Sequence, residues 1–190
     1  NGIINMSGGK VIGTNNAGIY SYNTNNNYRQ TVNINGGKVT GKEYGIDANY
    51  MTNVTISNAE VSNQVSNIDR SAINLGYRST VTMNEGALIN APSSTGVRFN
   101  SNDCSLTMNA GEIKSGLSNG YGVYTNGGTI NINGGKIITT GTSSYGIYNI
   151  YSGFTLNMNG GEINSSNIGI YLDRYSNTNY YYEARTININ

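Results

Sequence analysis

Apolar and polar residues alternate in short runs that return along the whole chain. In Thr129–Ile137, TININGGKI, Ile130 and Ile132 fall on one face of an extended strand and Thr129 and Asn131 on the other. The Gly134-Gly135 pair then marks a corner, and the apolar pattern restarts at Ile137. Close copies are IINMSGGKV (Ile3–Val11), TVNINGGKV (Thr31–Val39), NVTISNAEV (Asn53–Val61) and TVTMNEGAL (Thr80–Leu88). SLTMNAGEI (Ser105–Ile113), TLNMNGGEI (Thr155–Ile163) and a last TININ (Thr186–Asn190) follow. The first apolar residue of each copy, from Ile4 through Val32 and Val54 to Ile187, recurs about every 26 residues, a period of stacked repeats.

A second element follows each copy. It reads AGIY (Ala17–Tyr20), YGID (Tyr44–Asp47), SAIN (Ser71–Asn74) and TGVR (Thr95–Arg98), then YGVY (Tyr121–Tyr124), YGIY (Tyr145–Tyr148) and IGIY (Ile168–Tyr171). Each period therefore predicts a coil of three strands: one with two inward apolar residues, a short one after the Gly-Gly corner, and one around G-I-Y. Val32, Ile34, Val39 and Ile46 are expected inside, and Thr31, Asn33 and Asp47 outside. Helical periodicity is absent. The fold class is all-β: a single domain over residues 1–190, with about seven coils of about 26 residues.

Stacking turns each repeat position into a column with a spacing of about 4.8 Å. The corner column is expected to run Lys10, Lys38, Glu60, Ala87, Glu112, Lys136, Glu162, with opposite charges meeting except at Lys10–Lys38. The position before Gly-Gly gives Ser7, Asn35, Ser57, Asn84, Asn109, Asn133 and Asn159, a column whose amides can hydrogen-bond from coil to coil. The outward position after G-I gives Tyr20, Asp47, Asn74, Arg98, Tyr124, Tyr148 and Tyr171. Tyr124, Tyr148 and Tyr171 form an aromatic stripe, and tyrosine's apolar body and polar tip suit the CH face and hydroxyls of a sugar. Tyr20, Arg98 and Asp47 join the stripe as candidate glycan-binding residues. Tyr175, Tyr180, Tyr181 and Tyr182 are expected in a loop near it.

Composition narrows the chemistry. The 190 residues carry 26 Gly, and roughly one residue in six is Asn, both suited to the positive-φ corners of such a chain. Charged residues make up 11%, with a net charge of +1, so no field points to nucleic acid. No run is long enough to span a membrane. Cys104 is the only cysteine, which excludes an internal disulfide. The chain has no His, removing His-based acid–base chemistry, nucleophile activation by His and His-containing metal sites. Asp47, Asp69, Asp103 and Asp173 fall in different coils, so no acidic cluster for Ca2+ or for hydrolysis is expected, and no cofactor. Asp47 and Arg98 are expected as solvated surface groups.

The repeated x-I-x-I-N-G-G-x-I and G-I-Y segments resemble the right-handed, single-stranded parallel β-helix of the pectate-lyase-like architecture. They look most like non-catalytic repeat regions of secreted or surface adhesins of Gram-positive bacteria. That resemblance implies an extracellular or cell-surface location and an adhesive role, with a polysaccharide, host glycan or glycoprotein as partner. The alternatives are a β-helical polysaccharide lyase or hydrolase, a phage tail or filament stalk, and an ice-binding solenoid, whose flat arrays the Thr31/Asn33 to Thr186/Asn188 pairs resemble. The coil edges at both ends lead to the expectation of a longer repeat chain or of end-to-end self-association.

Overall fold

Ile130 and Ile132 are fully buried and their neighbours Thr129 and Asn131 are half-buried, so strand alternation sets inside from outside as the pattern predicts. The computed structural model describes residues 2–23, 25, 27–151, 153–173 and 184–190. Every regular element among these is a strand, and the strands form three parallel sheets stacked as a β-solenoid of about six turns, about 26 residues apart. One coil shows the plan. Gly128–Ile132 lies in the first sheet, Lys136–Thr139 in the second and Tyr145–Asn149 in the third. Among the described residues the first sheet has eight strands, from Ile3–Met6 to Thr186–Ile189, and the other two have seven each.

The core is a narrow column filled by inward side chains of all three sheets. Ile34 and Ile56 of the first sheet, Val61 and Ile113 of the second, and Ile46 and Ile147 of the third are each fully buried. Phe99 and Phe154 are the bulkiest members. Cys104 belongs to this core: its thiol donates to the Gly76 carbonyl at 3.0 Å, and burial pushes its pKa up to about 12. At that value it is an inert thiol rather than a nucleophile.

The amide column forms as expected from Ser57 onward, while among the described residues Ser7 and Asn35 make no side-chain hydrogen bond in it. Asn84 donates to Ser57 Oγ at 3.2 Å, and Asn109, Asn133, Asn159 and Asn190 each donate to the Oδ1 of the residue one coil before, at 3.0–3.1 Å. The charge column needs one correction. Leu88, not Ala87, stands in register between Glu60 and Glu112, and Ala87 is buried. The turn after Met83 holds one residue more than its counterparts, so the inward residue is Ile89 and the positions inferred from TVTMNEGAL shift by one. Lys38 bridges Glu60 at 2.9 Å and Lys136 bridges Glu162 at 3.0 Å, while Glu112 pairs with Lys114 of its own strand at 2.6 Å.

Candidate functional site

The G-I-Y strands carry their glycine for packing space. A Cβ on Gly122 would lie 2.4 Å from Ile137 Cγ2 and 2.6 Å from the Gly146 carbonyl oxygen, so only glycine lets the third sheet close against the second. Gly122 and Val123 are thus both buried at consecutive positions, and the residues on either side, Tyr121 and Tyr124, both remain half-exposed with their rings 5.2 Å apart. The next coil repeats this with Tyr145 and Tyr148 around Gly146-Ile147.

The outcome is a two-column tyrosine cluster on the outer face of the third sheet. Tyr124, Tyr148 and Tyr171 are register partners, as the sequence predicts. Their rings stack at 5.8 Å and 8° for Tyr124–Tyr148 and at 5.1 Å and 20° for Tyr148–Tyr171. Tyr121 and Tyr145 form the second column, 5.8 Å apart, and cross-contact the first: Tyr121 lies 4.8 Å from Tyr148, and Tyr145 lies 5.5 Å from Tyr171. Sequence reasoning missed these two, although a strict Tyr-Gly-apolar-Tyr spelling in consecutive coils is the signal that reveals them.

Arg98 closes one end of the stack. Its guanidinium carbon sits 4.1 Å from the centre of the Tyr124 ring, and its nitrogens reach the Asp69 carboxylate at 3.5 Å and the Ile68 carbonyl at 3.4 Å. Because each inner ring is faced by a neighbour, the cluster presents ring edges and hydroxyls to solvent. Tyr171, 36% exposed, is the most exposed of the five rings. Tyr175, Tyr180, Tyr181 and Tyr182 lie outside the described residues.

Burial holds three of the phenols above the usual range. Burial, then a 2.6 Å hydrogen bond donated to Asp173 and that carboxylate's charge, hold the Tyr148 hydroxyl far above the usual phenol range. Burial raises Tyr121 and Tyr124 as well, opposed by the positive charge of Arg98. The Tyr121 and Tyr124 hydroxyls can therefore donate or accept, while Tyr148, its one O–H given to Asp173, can only accept.

Two of the expected site residues are placed differently. Asp47 stands in the predicted column but is buried, 6% exposed, and accepts a 2.8 Å hydrogen bond from Asn74. Arg98 is also covered, its side chain 15% exposed beneath its contacts with Tyr124 and Asp69. Neither is a solvated surface group, because the outward face of this sheet is overlaid by its own long side chains, which strand alternation cannot show. Tyr20 is exposed but remote from the stripe, since Asp47, Asn74 and Arg98 occupy the three coils between. It instead stacks on Tyr22 at 6.2 Å, and the contacts continue through Tyr50 to Tyr77, a second aromatic patch not anticipated. Tyr50 and Tyr77 are register partners, each three residues beyond the third-sheet column position of its own coil.

Among the described residues no three acidic, Cys or His side chains converge into a metal-binding group, and no helix is long and apolar enough to cross a membrane. No family model, curated protein or solved structure matches the chain.

Proposed function

We propose that this β-solenoid is a non-enzymatic, extracellular structural and adhesive module that binds a polysaccharide or host glycan on the outer face of its third sheet. The observation that carries the reading is the cluster Tyr121, Tyr124, Tyr145, Tyr148 and Tyr171, gathered on one face with its rings in mutual contact. Rings held by their neighbours lose little side-chain entropy when a ligand arrives, and half-exposed phenols offer both apolar edge and hydroxyl to a sugar. The extracellular and adhesive parts of the reading rest on the resemblance of the repeats.

The test is binding to a panel of immobilised polysaccharides and glycans by the wild type and two triple variants. Tyr124/Tyr148/Tyr171→Phe keeps the stack and removes the hydroxyls, and the corresponding Ala triple removes both. Binding that falls in the Phe triple and disappears in the Ala triple supports the reading. Undiminished binding in both places the site elsewhere, and no binding by the wild type overturns it.

A further inference from the structure

A groove of about 350 Å³ on the outer face of the second sheet has the chemistry of a second, different site. Its floor is made of two outward columns. One runs Lys10, Lys38, Glu60 in register, and the other runs Ile12, Thr40, Ser62, Asn90. In the first column two ammonium groups face one carboxylate. Lys38 is bound to Glu60 at 2.9 Å, and Glu60 also accepts from Asn90 at 3.2 Å. Among the described residues Lys10 makes no ion pair, and it stands directly opposite Lys38, a like-charge juxtaposition that destabilises a sheet. In the second column Thr40 and Ser62 are buried, and their hydroxyls satisfy each other through a 3.0 Å hydrogen bond that closes the groove floor. Ile12, 62% exposed, and Pro92 give apolar surface, while the Gln64 amide adds a neutral polar group.

We infer that this groove binds an acidic sugar: a hydroxyl-rich ring bearing one carboxylate, with the carboxylate at Lys10 and Lys38 and the ring beside Ile12, extending over the Thr40–Ser62 floor toward Gln64 and Asn90. The anion supplies the charge that the column lacks, and charge-assisted hydrogen bonds from two ammonium groups are the strong contacts of such a site. The Gln64 and Asn90 amides match sugar hydroxyls, and Ile12 at the lysine end matches the CH surface of the ring. The inference does not rest on the third-sheet reading, because the groove shares no residue with the tyrosine cluster.

The test is a titration of the isotope-labelled protein followed by NMR, with sialyllactose as the acidic probe. Its carboxylate methyl ester and lactose are the neutral controls, and acetate and inorganic phosphate are the simple anions. Sialyllactose should shift the signals of Thr40, Ser62 and Asn90, and both neutral controls should bind about tenfold more weakly or worse, the scale of one charge-assisted contact. Lys10→Ala should cost about tenfold, and Glu60→Gln, which removes the opposing carboxylate, should tighten binding. The Tyr124/Tyr148/Tyr171→Ala triple should leave this titration unchanged even if it abolishes polysaccharide binding. Equal affinity for the methyl ester, an unaffected Lys10→Ala, or shifts confined to other residues would overturn the inference. Acetate or phosphate binding as tightly as sialyllactose would also overturn it, reducing the groove to a generic anion site.

Discussion

The rings of Tyr124 and Tyr148 lie 5.8 Å apart and 8° from parallel, on strands whose backbones are in register one coil apart. Strand spacing sets a separation of about 4.8 Å, so stacked rings on adjacent coils must offset slightly, which is the geometry aromatic pairs prefer. The pair should therefore be energetically coupled. A double-mutant cycle with Tyr124→Ala and Tyr148→Ala should give a coupling of about 0.5–1.5 kcal/mol in denaturant unfolding, nearer the lower figure because both rings are partly solvated. Strict additivity would mean the stack is fortuitous.

Tyr148 also sets an alkaline limit. Its folded-state pKa is raised, first by burial and then by donation to Asp173, from an ordinary value of 10.0. Folding thus favours the protonated phenol. Its contribution is complete below pH 10 and is lost as pH rises through the folded value, because the unfolded chain ionises first. Tyr148→Phe should cost about 0.5–1 kcal/mol at pH 7, a figure discounted for partial exposure. The gap to the wild type should close above pH 10, as read by urea midpoints across a pH series.

Asp47 behaves in the same sense at the acidic end. Burial raises its carboxyl above the ordinary 3.8, against the opposing hydrogen bond from Asn74 and the charge of Arg70. Its contribution is complete below pH 3.8 and is lost as pH rises through the folded value, so at pH 7 the ionised group costs stability. An amide at this position can accept the same bond from Asn74. Asp47→Asn should therefore raise Tm at pH 7, by roughly 2–4 °C for each kcal/mol relieved, and the advantage should vanish below about pH 4.

These placements show which parts of the molecule the repeat makes readable. The period and the strand alternation predict columns, and the third-sheet column from Tyr20 to Tyr171 and the amide ladder through Asn133 appear as written. A column depends on local copy length, however. The extra residue before Ala87 moves Leu88 into the charge column, and nothing in TVTMNEGAL says whether the turn or the strand absorbs it. Alternation also assumes one residue per side. At Gly122-Val123 two consecutive residues turn inward, which brings Tyr121 to the outer face beside Tyr124. Burial on an outer face is a third blind spot, because Arg98 and Asp47 are covered by side chains from neighbouring coils rather than by the core.

The sharpest consequence concerns Gly122. Its φ is not in the positive region, so an alanine there meets no backbone penalty. The cost is steric: the added methyl would sit 2.4 Å from Ile137 Cγ2 and 2.6 Å from the Gly146 carbonyl oxygen, and the second contact is with backbone that cannot rotate away. Gly135 is the contrasting case, with φ +84° and the Gly111 carbonyl 2.5 Å from a built Cβ, so it combines strain with a clash. Gly122→Ala should cost about 1–3 kcal/mol, the usual range for overpacking a tight interface. Because each coil touches only its neighbours, the damage should begin locally. Hydrogen exchange should show protection falling first in Tyr121–Thr125, Lys136–Thr139 and Tyr145–Asn149, with the strands near Val54 and Val61 affected later. Trimming the opposing side chain with Ile137→Val keeps Cγ2 and should rescue little. Ile137→Ala removes it and should restore part of the lost stability in the Gly122→Ala background, while destabilising the wild type by 2–5 kcal/mol, roughly the cost of a buried Ile-to-Ala cavity. Uniform loss of protection along the whole solenoid, or additive effects of the two substitutions, would show that glycine at this position serves something other than the fit between the second and third sheets.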